Sequence, residues 1–218
     1  MDNQPAPAVA TEPASGIVWN VPNILTIARL ILSVLCFVFF VVEWYLPALI
    51  FFAIGAGTDW VDGFWARRYG QITQLGRIMD PFADKIIICG TFILLAAVPP
   101  FVSKKSIAES ASQITAWMAV VVVARELLVT ALRGFLEEHG RDFSAKWSGK
   151  WKMVFQCAAV AASLARLWMY NYYASAWHPT QPPEWTTWGL RILVWIAVLL
   201  TIYSGWVYVQ RAIHMLRK

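Results

Sequence analysis

Apolar residues fall into six long runs along the chain, at about 22–42, 45–68, 81–98, 113–136, 149–170 and 187–215, with polar residues gathered near their ends. A run of about 20 apolar residues crosses a bilayer as one helix. The pattern predicts an all-α integral membrane protein, a bundle of six transmembrane helices. The first run departs from it in its opening turns. Asn23, Thr26 and Arg29 recur every third residue, and the clean apolar stretch behind them, 30–42, is too short to span alone. That polar start belongs at the interface with a snorkelling Arg29, or it faces a cavity within the protein. Residues 1–17 hold Ala, Pro, Ser and acids without an apolar run. They read as a disordered tail, which leaves 18–218 as the membrane domain. The chain begins without the pattern of a signal peptide, and with no Arg before Arg29 a mitochondrial presequence is not expected.

Composition supports this reading. Of 218 residues 59% are hydrophobic, 13 are Trp and only 14% are charged, where a soluble domain carries about a quarter. The net charge of +5 then concerns topology and anionic headgroups, and no nucleic acid partner is expected. Arg67, Arg68, Arg77, Arg141, Lys146, Lys150, Lys152, Arg211, Arg217 and Lys218 follow the second, fourth and sixth runs, whereas Lys104 and Lys105 dominate the opposite ends. The bias places both termini on the cytoplasmic side. Cys36, Cys89 and Cys157 lie in apolar runs without paired spacing, so neither a disulfide nor a zinc site is predicted.

Against this background the stretch from Asp59 to Asp84 stands out. Asp59 and Asp62 are three residues apart and share a face if helical, with the small residues Gly63 and Ala66 beside them. Gly76, Asp80 and Asp84 recur every fourth residue. Four carboxylates aimed at one place repel unless a cation lies between them. An all-oxygen set favours Mg²⁺ or Mn²⁺, and Gly63 and Gly76 let a ligand approach the backbone. Taken singly, each Asp also suits a helix cap or a pair with Arg67, Arg68 or Arg77. Asp80–Pro81 has the form of an N-cap followed by Pro at the first helical position.

The full spacing, Asp59-x2-Asp62-Gly63-x2-Ala66-Arg67-x8-Gly76-x3-Asp80-x3-Asp84, resembles the signature of the CDP-alcohol phosphotransferases at every position. Pro22-Asn23-x2-Thr26-x2-Arg29 is similar to the opening of the bacterial phosphatidylglycerophosphate synthase branch, and so are Ala124 to Arg133 and Trp147-Ser-Gly149-Lys150-x-Lys152. The resemblance implies displacement at a phosphorus atom of CDP-diacylglycerol by an alcohol, with CMP as leaving group. It implies that Asp59, Asp62 and Asp80 hold the metal, and that Asp84 acts as catalytic base, as ligand, or as both. Arg67 holds phosphate in this reading, Gly63, Ala66 and Gly76 leave room for the cytidine part, and Asn23 and Thr26 join the CDP-lipid site. It further implies a homodimer in a bacterial inner membrane.

A second constellation is basic. Arg125 lies about midway along an apolar run, where an Arg costs at least about 2.5 kcal/mol unless paired or wetted. Arg133 is eight residues on, and Lys146, Lys150 and Lys152 follow in the link to the next run. Together they suit a phosphate-bearing acceptor. A structural pair of Arg125 with Glu126, and plain positive-inside lysines, are the simpler readings. The resemblance makes the acceptor sn-glycerol 3-phosphate. Inositol phosphate, serine and phosphatidylglycerol are rival acceptors within the family. Outside it, a membrane prenyltransferase would need two distant Asp motifs. An ion transporter would favour carboxylates at mid-membrane on broken helices, not at helix ends beside Arg67 and Arg68.

Overall fold

The computed structural model describes residues 21–69, 74–101, 109–139, 147–175 and 183–216. Among them the chain forms six helices: α1 (Val21–Val41), α2 (Tyr45–Tyr69), α3 (Gln74–Ala96), α4 (Ala116–Glu138), α5 (Trp147–Ser175) and α6 (Glu184–Leu216). One short antiparallel pair, β1 (Pro100–Phe101) with β2 (Glu109–Ser110), joins α3 to α4. The 1–17 tail, Lys146 and the loop lysines Lys104 and Lys105 lie outside the described residues.

Three helices are long and apolar enough to cross a membrane, over Ile24–Val41, Gly149–Tyr173 and Glu184–Met215. Among the described residues two shorter apolar helical stretches, Tyr45–Thr58 and Lys85–Ala96, belong to α2 and α3. On α1 the two faces separate cleanly. Ile24, Ile27, Ile31, Val34 and Val38 are exposed, while Thr26, Arg29, Ser33, Cys36 and Phe40 form a buried stripe. This is the reverse of a soluble amphipathic helix, with the apolar face outward and the polar groups inside. Arg29 is 2% exposed, so it does not snorkel. It faces the protein interior.

α1 packs against α2 and α3, α5 against α2, α3 and α6, and α4 against α3 and α6. The core they enclose includes Cys36, Phe52, Ile87, Phe92, Ile114, Val160, Leu164 and Val194. Two glycines set the closest approaches. A Cβ at Gly55 would stand 2.6 Å from Ile87 Cδ1, and one at Gly90 would enter the ring of Phe37. Small residues at such crossings let membrane helices pack backbone to backbone. The α1–α2 turn is closed by Trp44 N–H to Phe39 O and Glu43 N–H to Phe40 O, with Glu43 at φ 62° in the place glycine usually takes.

Several boundaries differ from the sequence expectation, and two of them bear on the site. The third helix begins at Gln74, not at Pro81, so Asp80–Pro81 is helix interior and not an N-cap. Pro81 removes one backbone donor, a loss that helices packed in a membrane bundle tolerate. The fourth helix begins at Ala116, after Thr115 O accepts the first helical N–H bonds from Met118 and Ala119. The residues before it form a buried, non-helical segment in which Ala111, Ser112 and Ile114 are 3%, 0% and 0% exposed. Its polar groups are satisfied. Ser112 Oγ donates to Leu95 O at 2.7 Å, and Ser163 Oγ donates to Ser112 O at 3.0 Å.

α4 is therefore recessed. Trp117, in its first turn, meets Trp195 of α6 with ring centroids 5.7 Å apart, and Trp195 is already about 16 Å along α6 at 1.5 Å per residue. Further on, a Cβ at Gly205 would come within 3.0 Å of Arg125 Cγ, about 32 Å from the start of α6. Arg125 thus lies beside the later part of α6, while within α4 itself it is about midway along the helix, as the sequence suggested.

Candidate active site

Asp59, Asp62, Gly63, Ala66 and Arg67 lie in the last turns of α2, and Gly76, Asp80 and Asp84 lie in the first turns of α3. Their side chains are outside the described residues. Four residues link the two helices, so α2 runs into the link and α3 returns from it. The Gly55–Ile87 contact fixes the antiparallel register. Stepping forward on α2 and back on α3 from that contact brings Asp59 level with Asp84, and Asp62 level with Asp80. α1 runs parallel to α3, with Phe37 against Gly90. The same stepping sets buried Thr26 and Arg29 level with Asp80 to Asp84. Asn23 begins this stripe one turn earlier; its side chain is also outside the described residues. The fold gathers into one layer the polar start of α1 and the motif halves on α2 and α3. The residue types at these positions, four Asp with no His or Cys among them, fit Mg²⁺ or Mn²⁺. Elsewhere among the described residues no group of three His, Cys, Asp or Glu could hold a metal.

Beside this layer lies the basic constellation. Glu126 of α4 accepts from Arg125 Nη1 at 3.3 Å on both carboxylate oxygens, and from Lys152 Nζ of α5. All three residues are buried, at 9% exposed or less. Arg125 also lies over the Tyr208 ring of α6, 5.5 Å from its centroid, and Tyr208 fits against Gly149, where a Cβ would meet its hydroxyl at 3.2 Å. Arg133 is half-buried, with its Nε buried and without a hydrogen-bond partner. The charges of Glu126, Arg133 and Arg125 all act on Lys85 of α3. Three cations, Lys152, Arg125 and Lys85, therefore act on one anion, and Arg133 acts in turn on Lys85, an excess of positive charge that suits a bound phosphate.

Arg125 and Lys152 thus meet on Glu126, and Arg133 lies near Lys85. Lys150 is exposed, on a different face of α5 from Lys152. The sequence reading missed Lys85. Its signal was position, one residue beyond Asp84 at the start of an apolar run, where a lone Lys passes for an interfacial anchor. For Arg29 the sequence left open a snorkelling or an inward-facing position; its burial selects the second and sets it level with the motif.

A layer of helix-borne carboxylates beside a buried basic pocket, in a helical bundle with membrane-length spans, defines a membrane transferase acting on phosphate groups. The family model for CDP-alcohol phosphatidyltransferase matches residues 19–207, and the chain belongs to that family. It is similar to the CDP-diacylglycerol–glycerol-3-phosphate 3-phosphatidyltransferase of Haemophilus influenzae, with 33% identity over 207 residues, covering 89% of this chain and 94% of the relative. The proteins of the same name from Bacillus subtilis and Escherichia coli K12 are each 30% identical, covering 88% and 89% of this chain and 95% of either relative. The chain is a membrane enzyme of phospholipid biosynthesis with CDP-alcohol phosphatidyltransferase activity.

Proposed function

We propose that this enzyme transfers the phosphatidyl group of CDP-diacylglycerol to sn-glycerol 3-phosphate, releasing CMP and phosphatidylglycerophosphate. The observation that carries the acceptor is the pocket of Lys85, Arg125, Arg133 and Lys152 around Glu126, set on α3 directly beyond Asp84. An acceptor phosphate held there has its far hydroxyl near Asp84. Asp84 accepts the proton of that hydroxyl as its oxygen attacks the phosphorus bearing the diacylglycerol. Arg29 and Arg67 hold the pyrophosphate, and Asn23, Thr26, Gly63, Ala66 and Gly76 form the bed of the CDP group. Arg133 takes the acceptor phosphate, with Lys152 and Arg125 behind it and Lys146 and Lys150 at the rim. Asp59, Asp62, Asp80 and Asp84 would hold a divalent metal, whose charge would offset that of the pyrophosphate and favour departure of CMP.

All six helices cross the bilayer in this reading, with 18–218 as one membrane domain and the 1–17 tail outside it. The Asp layer and both termini face the cytoplasm of a bacterial inner membrane, and the enzyme works as a homodimer. The relatives' names and the basic pocket support the acceptor; the distribution of Lys and Arg supports the orientation.

CMP release from CDP-diacylglycerol by the purified protein, with Mg²⁺ and a panel of glycerol 3-phosphate, glycerol, inositol phosphate, serine and phosphatidylglycerol, tests the proposal. Glycerol 3-phosphate is expected to drive release, and Asp59→Asn, Asp62→Asn and Asp80→Asn each to remove most of it. Turnover in excess chelator would remove the metal role, and equal turnover with glycerol would remove the acceptor.

A further inference from the structure

The end of the bundle away from the Asp layer holds two arginines that the proposed reaction does not use. Arg166 of α5 is 6% exposed. Its Nη2 donates to Thr187 Oγ1 at 2.7 Å and to the Tyr170 hydroxyl at 3.2 Å, and its guanidinium lies 5.4 Å from the centroid of the Tyr170 ring. Its Nε and Nη1 are buried and have no hydrogen-bond partner, and no described carboxylate pairs with it.

Arg191 of α6 reaches the same corner. It follows Thr187 by one turn on the same face. Its Nε donates to Gln113 Oε1 at 3.1 Å, and its guanidinium lies 4.9 Å from the Trp188 centroid. Gln113 adjoins Ser112, whose carbonyl accepts from Ser163, one turn before Arg166. Two guanidiniums thus converge where α5, α6 and the buried 111–115 segment meet. The corner is about 21 Å along α5 from Lys152, so it is separate from the basic pocket beside the Asp layer.

A buried guanidinium with two donors unused calls for an acceptor, and a second cation nearby calls for a negative one. Phosphate oxygens match the guanidinium fork. The surroundings favour a lipid as their source. Trp168, Tyr172, Trp185 and Trp188 are all exposed at this end, as aromatic side chains are at headgroup level. We propose that Arg166 and Arg191 bind the phosphate of a membrane lipid headgroup, in the leaflet opposite the one that holds the Asp layer.

Native mass spectrometry of the full chain, titrated with phosphatidylglycerol, diacylglycerol or inorganic phosphate, tests this. One phosphatidylglycerol bound to the wild type should weaken roughly ten- to a hundredfold in Arg166→Gln and in Arg191→Gln, the range for a lost charge-assisted contact. Arg166→Lys should weaken it less, and Arg133→Ala should leave it intact. Arg191 is only half-buried, so its variant decides the matter if Arg166→Gln fails to fold. Unchanged phosphatidylglycerol binding in Arg191→Gln would overturn the site. Diacylglycerol binding as tightly as phosphatidylglycerol would show that no phosphate is read. Displacement by millimolar inorganic phosphate would assign the site to the free ion and overturn the lipid.

Discussion

Glu126 is held by Lys152 and Arg125, with Lys85 and Arg133 within reach of the same charge field. Its neutralisation leaves like charges facing one another in a buried place. Breaking such a pair costs about 3–5 kcal/mol. Glu126→Gln should therefore lower the melting temperature of the detergent-purified protein sharply, whatever it does to catalysis. Arg133 stands at the edge of the same cluster, half-buried and with an unused Nε. Arg133→Ala should keep the melting temperature near that of the wild type while raising KM for glycerol 3-phosphate roughly ten- to a hundredfold, from the loss of about 1.5–3 kcal/mol. Arg133→Lys should recover part of the loss, having the charge without the planar fork. An unchanged KM in Arg133→Ala would place the acceptor elsewhere. Two members of one charge cluster, the anion Glu126 and the cation Arg133, thus have separable roles, one structural and one for binding.

The contacts of α1 with α3 and of α2 with α3 decide whether the polar start of α1 and the two Asp pairs meet. Gly90 and Gly55 make those contacts possible, whereas a Cβ at Gly57, also on α2, would meet nothing within 4 Å. Gly90→Ala should cost about 1–3 kcal/mol through overpacking against Phe37, with loss of activity as α1 shifts. Gly57→Ala should be neutral or stabilise by up to about 1 kcal/mol. Thermal unfolding of both variants checks the pair. The six helices were legible because each apolar run is bounded by polar, Gly or Pro residues, and the motif was legible because its spacing is tied to helical turns. The start of α3 was not, because Pro81 after Asp80 obeys the local rule for a helix start, and packing against α1 and α2 overrides that rule. The recess of α4 was hidden as well. Residues 113–115, Gln-Ile-Thr, hold no Gly or Pro to mark a break, and only the hydrogen bonds of Ser112 to Leu95 and Ser163 reveal a packed turn. The burial of Arg29 and Arg166 was equally out of reach, since a lone Arg near a helix end reads the same whether it snorkels or turns inward.

Across the whole molecule the polar chemistry divides between two ends, with the apolar core of Phe52, Phe92, Leu164 and Val194 between them. In the proposed orientation the motif end, whose flanking sequence carries most of the loop Lys and Arg, faces the cytoplasm. With Cys36, Cys89 and Cys157 replaced, Gln71→Cys should react with a membrane-impermeant thiol reagent only after the inner face is opened. Labelling in intact cells would reverse the orientation. The recess of α4 also constrains how the protein is made. Arg125 is sheltered by Tyr208 and Gly205 of α6, about 80 residues later in the chain. At about 5–20 residues per second, several seconds pass between synthesis of the charged helix and of the helix that covers it. During that interval α4 has no complete partner surface, and its charges weigh against settling in lipid. The contact that covers Arg125 therefore forms only once α6 has been made, so the packing of α4 is completed late in synthesis.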